Sequence, residues 1–480
     1  MDDKDAGKRR GQSLAARWTG DPIATRQRGT FAAVTLAMLC IEVSFLAIML
    51  ALPDMARLFG KSPEVTQDAL SAYLLSQGAT LVVAGRVGDV VGRPRVFVAG
   101  GVLFAVALVG AALAPNLSGL VLFRVLQGAG AGLMLPTGLA LLTTSYSAPD
   151  RQARALGLSF ALAAIGTVIG PFFGGWLAEG PGWRWIFWLL VPVAVLIIAV
   201  TVRFVPAWRT TAPAPSFDFL GAAMVVLALA AVGTGIDRAD SVGWSVVNIV
   251  LLAGGLAVIA VFPVRERRAA HPLVDLSVFR DPRFGLILFL GTACSACYTA
   301  TLFVVSVDLQ DARHLTAVRA SLVFAIMAVL VALAAPVGAR LRRGRWQVLV
   351  LAGAGVISSG ALGVLAAVTS WWAYVPALAI CGFTLGLGSS VASIAGQQTV
   401  RPRQAGEVSG IVLTIRTTAA GISLAVTASI VDTFERGGHG VAASCDLALV
   451  VVAFLPVAAS LIAAAAGYTF ARRGREKASG

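Results

Sequence analysis

The chain has 480 residues, of which 58% are hydrophobic and only 13% charged. A water-soluble protein of that length needs far more polar surface, so a soluble fold is excluded. The net charge of +14 raises nucleic-acid binding, but the basic residues are dispersed over eight short segments instead of one patch, and that partner is excluded as well.

No charged residue occurs between Arg154 and Glu179, Asp240 and Arg265, Arg283 and Asp308, or Asp446 and Arg472. Each gap holds about 24 residues, whereas roughly 20 apolar residues suffice to cross a bilayer core. The gaps are continuously apolar and lack the alternation of a membrane barrel, so they read as helices. In chain order the predicted spans are 30–53, 68–88, 96–115, 119–144, 155–178, 184–204, 217–236, 243–264, 284–307, 319–339, 346–368, 372–396, 405–431 and 446–470. The fold class is therefore all-α and integral to a membrane, with about 14 transmembrane helices. The eleventh and twelfth are parted by Thr369-Ser370-Trp371-Trp372, a short turn with interfacial tryptophans.

The first span carries Glu42, roughly 16 Å from Pro53 along a helix and so near mid-membrane. An intramembrane carboxylate is by default a candidate proton carrier. A buried partner for Arg124 and a merely polar side chain are the other readings. The second and third spans are joined by Gly85-Arg-Val-Gly-Asp89-Val-Val-Gly92-Arg93-Pro-Arg95. Its glycines permit a tight turn, and Asp89 can accept charge-assisted bonds from Arg93, Arg95 or a neighbouring helix end. Such a pair is either a latch between two states or a solvated basic turn.

In the fourth span Arg124 and Gln127 are three residues apart and share a helix face. A charge inside the bilayer costs on the order of 3 kcal/mol, so Arg124 faces protein or water unless it snorkels to the interface. The fifth span contains Gly157, Gly166, Gly170-Pro171 and Gly174-Gly175. Gly166, Gly170 and Gly174 form a stripe that allows close helix contact, and Pro171 removes a backbone donor and bends the helix.

A Pro-rich connector, 206–215, and a basic loop, 265–283, bracket the seventh and eighth spans. The expected organisation is an N-terminal tail (1–29), a six-helix bundle (30–204), a linker with two inserted helices (205–283), a second six-helix bundle (284–470) and a C-terminal tail (471–480). Paired bundles of this kind commonly hold a substrate path at their interface. Asp308 and Glu407 lie near the ends of their spans, and Arg416 lies within the thirteenth. Of the 38 Lys and Arg residues, 29 fall on the side that holds both tails, which places both termini in the cytoplasm. No cleavable signal peptide is expected, since residues 1–29 are polar and basic. The five cysteines form no metal or disulfide framework and read as packing residues, and the three histidines fall in separate loops. No phosphate-binding Gly-x-x-x-x-Gly-Lys-Ser/Thr loop occurs, which argues against a nucleotide-driven pump.

The loop with Gly85, Asp89, Gly92 and Arg93 resembles the cytoplasmic signature of the major facilitator superfamily, and Arg124-x-x-Gln127-Gly128 resembles a second one. The glycines of the fifth span with Pro171 resemble the antiporter signature of its drug exporters. Trp183-Arg-Trp-Ile-Phe, Pro272-Leu-Val-Asp275 and Gly406-Glu407-Val-Ser409-Gly410 with Arg416 are similar to the fourteen-helix drug:proton antiporter family. The departure lies in the first span, where Ser44 stands at that family's aspartate and Met49 at its asparagine.

The resemblance implies a secondary transporter of the cell membrane, not an enzyme, that exchanges protons for small amphiphilic drugs, dyes or antibiotics by alternating access. Its alternatives are a dedicated metabolite exporter, a proton symporter, or a membrane sensor without flux. Glu42, Arg124, Asp308, Glu407 and Arg416 are the proton-coupling candidates, and Ser44 and Gln127 the substrate-path candidates. The expected partners are a small molecule, protons and membrane lipids, with no metal or other cofactor beyond the proton gradient. No residue pattern specifies an oligomeric state.

Overall fold

A computed structural model describes residues 22–61, 66–146, 148–205, 218–242, 245–269, 282–340, 345–398 and 405–478. The connector at 206–215 and the loop phrase Pro272–Arg280 lie outside them. Within the described residues the chain is all α-helical: α1 (Pro22–Phe59), α2 (Asp68–Val87), α3 (Arg93–Leu113), α4 (Leu117–Ser145), α5 (Pro149–Glu179), α6 (Arg184–Phe204), α7 (Phe219–Val242), α8 (Val246–Glu266), α9 (Pro282–Val307), α10 (Ala317–Arg340), α11 (Arg345–Ala367), α12 (Trp371–Gln398), α13 (Ala405–Arg436) and α14 (Val441–Ala478). The first and last helices run beyond the apolar stretches expected at 30–53 and 446–470. Arg and Gln are good helix formers, so the backbone continues past the membrane-compatible sequence.

Among the described residues, twelve runs are long and apolar enough to cross a membrane. One is the continuous 46-residue stretch Asp68–Leu113, which contains both α2 and α3. At 1.5 Å per residue it would extend about 69 Å, more than twice a bilayer core. It turns instead at a π-helical segment, Gly88–Gly92, where Gly92 has φ of 106°. That conformation is open to glycine at little cost and strained for other residues. In α7 the apolar stretch is shorter, Leu220–Gly235.

Side chains complete the helix ends. The Asn116 carboxamide oxygen accepts from Gly119 N–H at 2.8 Å at the start of α4, and the Ser245 hydroxyl accepts from Asn248 N–H at 3.3 Å at the start of α8. Each satisfies a donor that the first helical turn leaves orphaned.

The helices pack in a pattern that occurs twice. α1 lies against α4, α5 and α6, α2 against α4, and α3 against α4 and α6. In the second set α9 lies against α12, α13 and α14, α10 against α12, and α11 against α12 and α14. The sets meet where α2 packs on α13 and α5 on α10. α7 and α8 run antiparallel, with Gly255 against Val232 and Ala228, and Gly235 against Asn248 and Leu252. α7 rests on α2 and α13 together: Ala222 clusters with Val82, Val83, Ile411, Ile415 and Phe262, and Gly233 abuts Leu75. At the foot of the pair Arg265 bonds both Asp218 and Glu266, and Asp218 also accepts from Gly221 N–H at 2.9 Å. The bond to the Arg265 guanidinium holds the Asp218 carboxyl below the usual carboxylate range.

Close approach is achieved by glycine. A Cβ on Gly128 would strike the Tyr73 carbonyl of α2, one on Gly132 would lie 2.7 Å from the Gln77 carbonyl, and one on Gly130 would lie 2.8 Å from the Gly100 carbonyl of α3. The obstacles are backbone atoms, which cannot rotate away. Gly128→Ala is therefore expected to lower the thermal midpoint of the detergent-purified protein, at a cost of ~1–3 kcal/mol. Gly363→Ala, where nothing lies within 4 Å, should leave it unchanged or raise it slightly. Equal midpoints for the two variants would contradict the packing described.

Candidate functional site

The stripe on α5 fixes the geometry of α1. A Cβ on Gly166 would lie 3.0 Å from Glu42 Cβ, one on Gly170 would lie 2.9 Å from Leu46 Cβ, and one on Gly174 would overlap the Ala47 carbonyl. Gly175 faces the other way and meets the Ala317 carbonyl and Ser321 of α10. Gly157 has nothing within 4 Å. Thr35 and Ser159 add a buried hydroxyl pair between α1 and α5 at 2.8 Å.

Glu42 is thus rooted on α5 and half-buried, and its carboxylate lies within the field of Tyr73 of α2 and at the border of the second set of helices. There it meets the fields of Arg416 on α13 and Tyr298 on α9. Among the described residues no ion pair or hydrogen bond closes on this carboxylate. Of the readings left open by the sequence, pairing with Arg124 is not the one adopted. Arg416, also half-buried, donates from Nε to Ser295 Oγ at 2.8 Å, and Ser295 shares a hydrogen bond with Ser389 of α12 at 3.1 Å.

Arg124 forms a separate, fully buried node. Its Nε donates to the Ala69 carbonyl at 3.1 Å, and its Nη1 donates to Gln127 Oε1 at 2.7 Å and to Ser44 Oγ at 3.5 Å. Gln127 Nε2 donates to Ser44 Oγ at 2.6 Å, and the guanidinium sits 4.1 Å above the Tyr73 ring. Arg124 does not snorkel. It is held by neutral dipoles and an aromatic face, and its buried Nη2 has no hydrogen-bond partner among the described residues. Ser44 and Gln127 are consumed by this node, which ties α4 to α1 and α2.

Asp308 lies away from both clusters. It is buried and accepts from Arg313 Nε and from the Tyr374 hydroxyl, each at 2.8 Å, while Arg313 also donates to the Thr369 and Val368 carbonyls at 3.0 and 3.1 Å. The group binds the end of α9 to the α11–α12 turn. Asp89 accepts from Arg93 Nε at 3.1 Å within its own loop, and Arg95 bonds the Val91 carbonyl. Gly85 has open space around it. The side chain of Glu407 lies outside the described residues.

Cross-set contacts that sequence reasoning missed lie at the end where α1 terminates. Ser306 Oγ donates to the Met49 carbonyl at 2.9 Å, and Glu179 Oε1 accepts from Val318 N–H at 2.7 Å. The carboxylate at the end of α5 thus caps the start of α10. Tyr298, Ser295 and Thr292 were also missed, although their three-residue spacing on a helix without charge between Arg283 and Asp308 was the available signal.

A family model described as Major Facilitator Superfamily matches residues 34–425. The chain belongs to the Major Facilitator Superfamily. It is accordingly a multi-pass membrane transporter of small molecules and not an enzyme. It is 30% identical to the multidrug resistance protein Stp of Mycobacterium tuberculosis over 84% of this chain and 75% of that protein. It is 28% identical to the cephamycin export protein CmcT of Amycolatopsis lactamdurans over 87% of this chain and 89% of that one. The structure of the human organic anion transporter MFSD10 matches with a TM-score of 0.61 and 16% identity, covering 92% of this chain and all of the other, a likeness of fold alone.

The vacancy of charge at Ser44 gives a test. Ser44→Asp puts a carboxylate where Arg124 already donates, so the variant should show a raised thermal midpoint, and Arg124→Leu in the same background should remove the gain. A buried pair is not always stabilising, and a midpoint lowered by Ser44→Asp would show that Arg124 is adequately solvated by Gln127, Ser44 and Tyr73.

Proposed function

We propose that the protein is a proton-coupled antiporter that exports small amphiphilic or hydrophobic compounds, antibiotics among them, by alternating access. The observation that carries this reading is Glu42: a half-buried mid-helix carboxylate at the junction of the two helix sets, facing Arg416 and Tyr298. A group at that junction can be exposed to one side and then the other as the sets rock. Proton and substrate then exchange if each favours a different state or if they compete for the site. The drug-resistance and antibiotic-export relatives support outward movement of an amphiphile.

The same reading holds that the chain crosses the cell membrane fourteen times with both ends in the cytoplasm, as in the fourteen-helix drug:proton antiporters. Support comes from the packing pattern that α1–α6 and α9–α14 share, with α7–α8 set beside them, and from the bias of Lys and Arg. On this orientation the bonds from Ser306 to Met49 and from Val318 to Glu179 join the two sets on the external side. The Asp89–Arg93 pair lies on the cytoplasmic side, and protons and lipids are the other partners. A second reading, dedicated export of one natural product, is favoured by CmcT.

The deciding experiment uses inverted vesicles holding the full chain, energised acid inside, to which lipophilic cations, dyes and antibiotics are added. Substrate-dependent collapse of the gradient is expected, and Glu42→Gln should abolish it while inserting to wild-type levels. Full coupled transport by Glu42→Gln would remove this carboxylate from the cycle. A gradient that no compound collapses would sink multidrug antiport.

A further inference from the structure

The bond from Ser306 to the Met49 carbonyl sets the register between α1 and α9, which run in the same direction. Five residues further along each chain segment stand Asp54 and Asp311, and equal steps from a bonded pair bring them to about the same height. Each lies just past the apolar stretch expected for its span, 30–53 or 284–307, and they belong to opposite helix sets. Asp311 accordingly feels the charge of Asp54 across the joint. Wherever the sets meet at this end, two carboxylates are brought near one another.

The surrounding charges do little to relieve them. Arg57 bonds Asp54 at 3.2 Å and its field reaches Asp311, but its side chain is 71% exposed, where an ion pair is weak. Arg313 is turned to Asp308 and to the Thr369 and Val368 carbonyls. Arg184 of α6 is turned to the Ala114 carbonyl, while Arg319 of α10 is exposed. His314, also exposed, acts on Asp311 from just beyond it. Among acidic groups, Glu179 of α5 adds its repulsion to Asp54, and Asp446 of α14 lies in the fields of Asp308 and Arg313. Asp311 Oδ2 is sealed from water and has no hydrogen-bond partner among the described residues. An ionised carboxylate so placed forfeits the hydration it needs, whereas the neutral acid forfeits far less, and the like charge of Asp54 acts in the same direction. Joining the sets at this end therefore favours a proton on Asp311. Parting them wets the oxygen and returns the proton to the water outside.

We infer that Asp54 and Asp311 form an acid-operated joint, which holds the two helix sets together at this end when the pair carries one proton and lets them part when both carboxylates ionise. The neutral form belongs to the joined arrangement, so the joint holds firmly at acid pH and loosens as pH rises above the ordinary aspartate value of about 3.9. The inference rests on the alternating-access reading for which side of the membrane this end faces, and it is separate from Glu42. On that reading, acid outside resets the transporter after its substrate has left.

The test is the distance between two spin labels on the full-length protein in nanodiscs, attached after Leu113→Cys at the end of α3 and Trp372→Cys at the start of α12. Both positions are exposed, one on each helix set at the end that holds Asp54, and the five native cysteines are buried. Between about pH 4 and pH 8 the separated population is expected to grow in the labelled protein, and to grow likewise when Glu42→Gln is added. Asp311→Asn should stay joined across that range, because its neutral side chain needs no proton. Arg57→Gln, at an exposed position that the fold tolerates, should enlarge the separated fraction at the alkaline end about twofold, since the shared cation is gone. Four results would each overturn the joint: a separation that ignores pH, a pH response undiminished in Asp311→Asn, a response lost in Glu42→Gln, or an Arg57→Gln population equal to that of the parent. Failure of the antiport reading is separate and appears as unchanged proton flux in the Glu42→Gln vesicles, which these distances do not sense.

Discussion

The approach of α1 to α5 is the contact on which the rest of the arrangement depends. Gly166, Gly170 and Gly174 present a face without side chains, and α1 lies on it closely enough for the Ala47 carbonyl to occupy the place of a Cβ. Apolar side chains gain little from meeting one another in lipid, where tails are equally apolar, so close packing of backbone is the available source of affinity. With α1 held in this way, the edge of the same face is turned to α9 and the junction. Glu42 is carried there because its own Cβ is part of the contact with Gly166. Position and chemistry are coupled through a single helix pair.

Charge inside the membrane is handled by two different means. Arg124 is enclosed and held through Nε and Nη1 by neutral acceptors and through its face by the Tyr73 ring, an arrangement that gives it a positional role between α1, α2 and α4. Glu42 and Arg416 stand half-buried on facing helices. Groups left in that condition are the ones whose electrostatic energy changes most when the two helix sets move, since both the distance between them and their contact with water change. The contrast separates a charge that builds the protein from charges that respond to its motion.

The helices, the turn at Gly92, the glycine stripe and the sharing of a face by Arg124 and Gln127 were legible in the sequence because each is a local property, set by apolar length or by spacing of one to four residues. The Asp89–Arg93 pair was legible for the same reason. Asp308 was not, because its partners include Tyr374, 66 residues away, and nothing near Asp308 announces that hydroxyl. Glu179 was missed because its target is a backbone N–H of another helix, and backbone donors leave no trace in side-chain identity. Spacing from Pro53 sets the height of Glu42 along its helix, but its azimuth depends on which neighbour α1 presents it to, and that is decided by the packing of α5, α9 and α13 together.

The clamp of Arg265 with Asp218 and Glu266 has a mechanical consequence for the molecule as a whole. It pins the start of α7 to the end of α8, so the pair behaves as one stiff beam laid along the seam of α2 and α13. Among the described residues the twin seam between α5 and α10 carries no such beam. Two halves related by near-symmetry would otherwise pivot with equal ease about either seam. The two seams are held differently: Ala222 must slide against Val82 and Ile411 whenever the halves separate at α2 and α13, whereas α5 and α10 are joined directly by the Glu179 bond to Val318 N–H and by Gly175 against the Ala317 carbonyl. Any parting of the halves along α2 and α13 therefore drags a third body with it, while parting along α5 and α10 breaks contacts of the two halves alone.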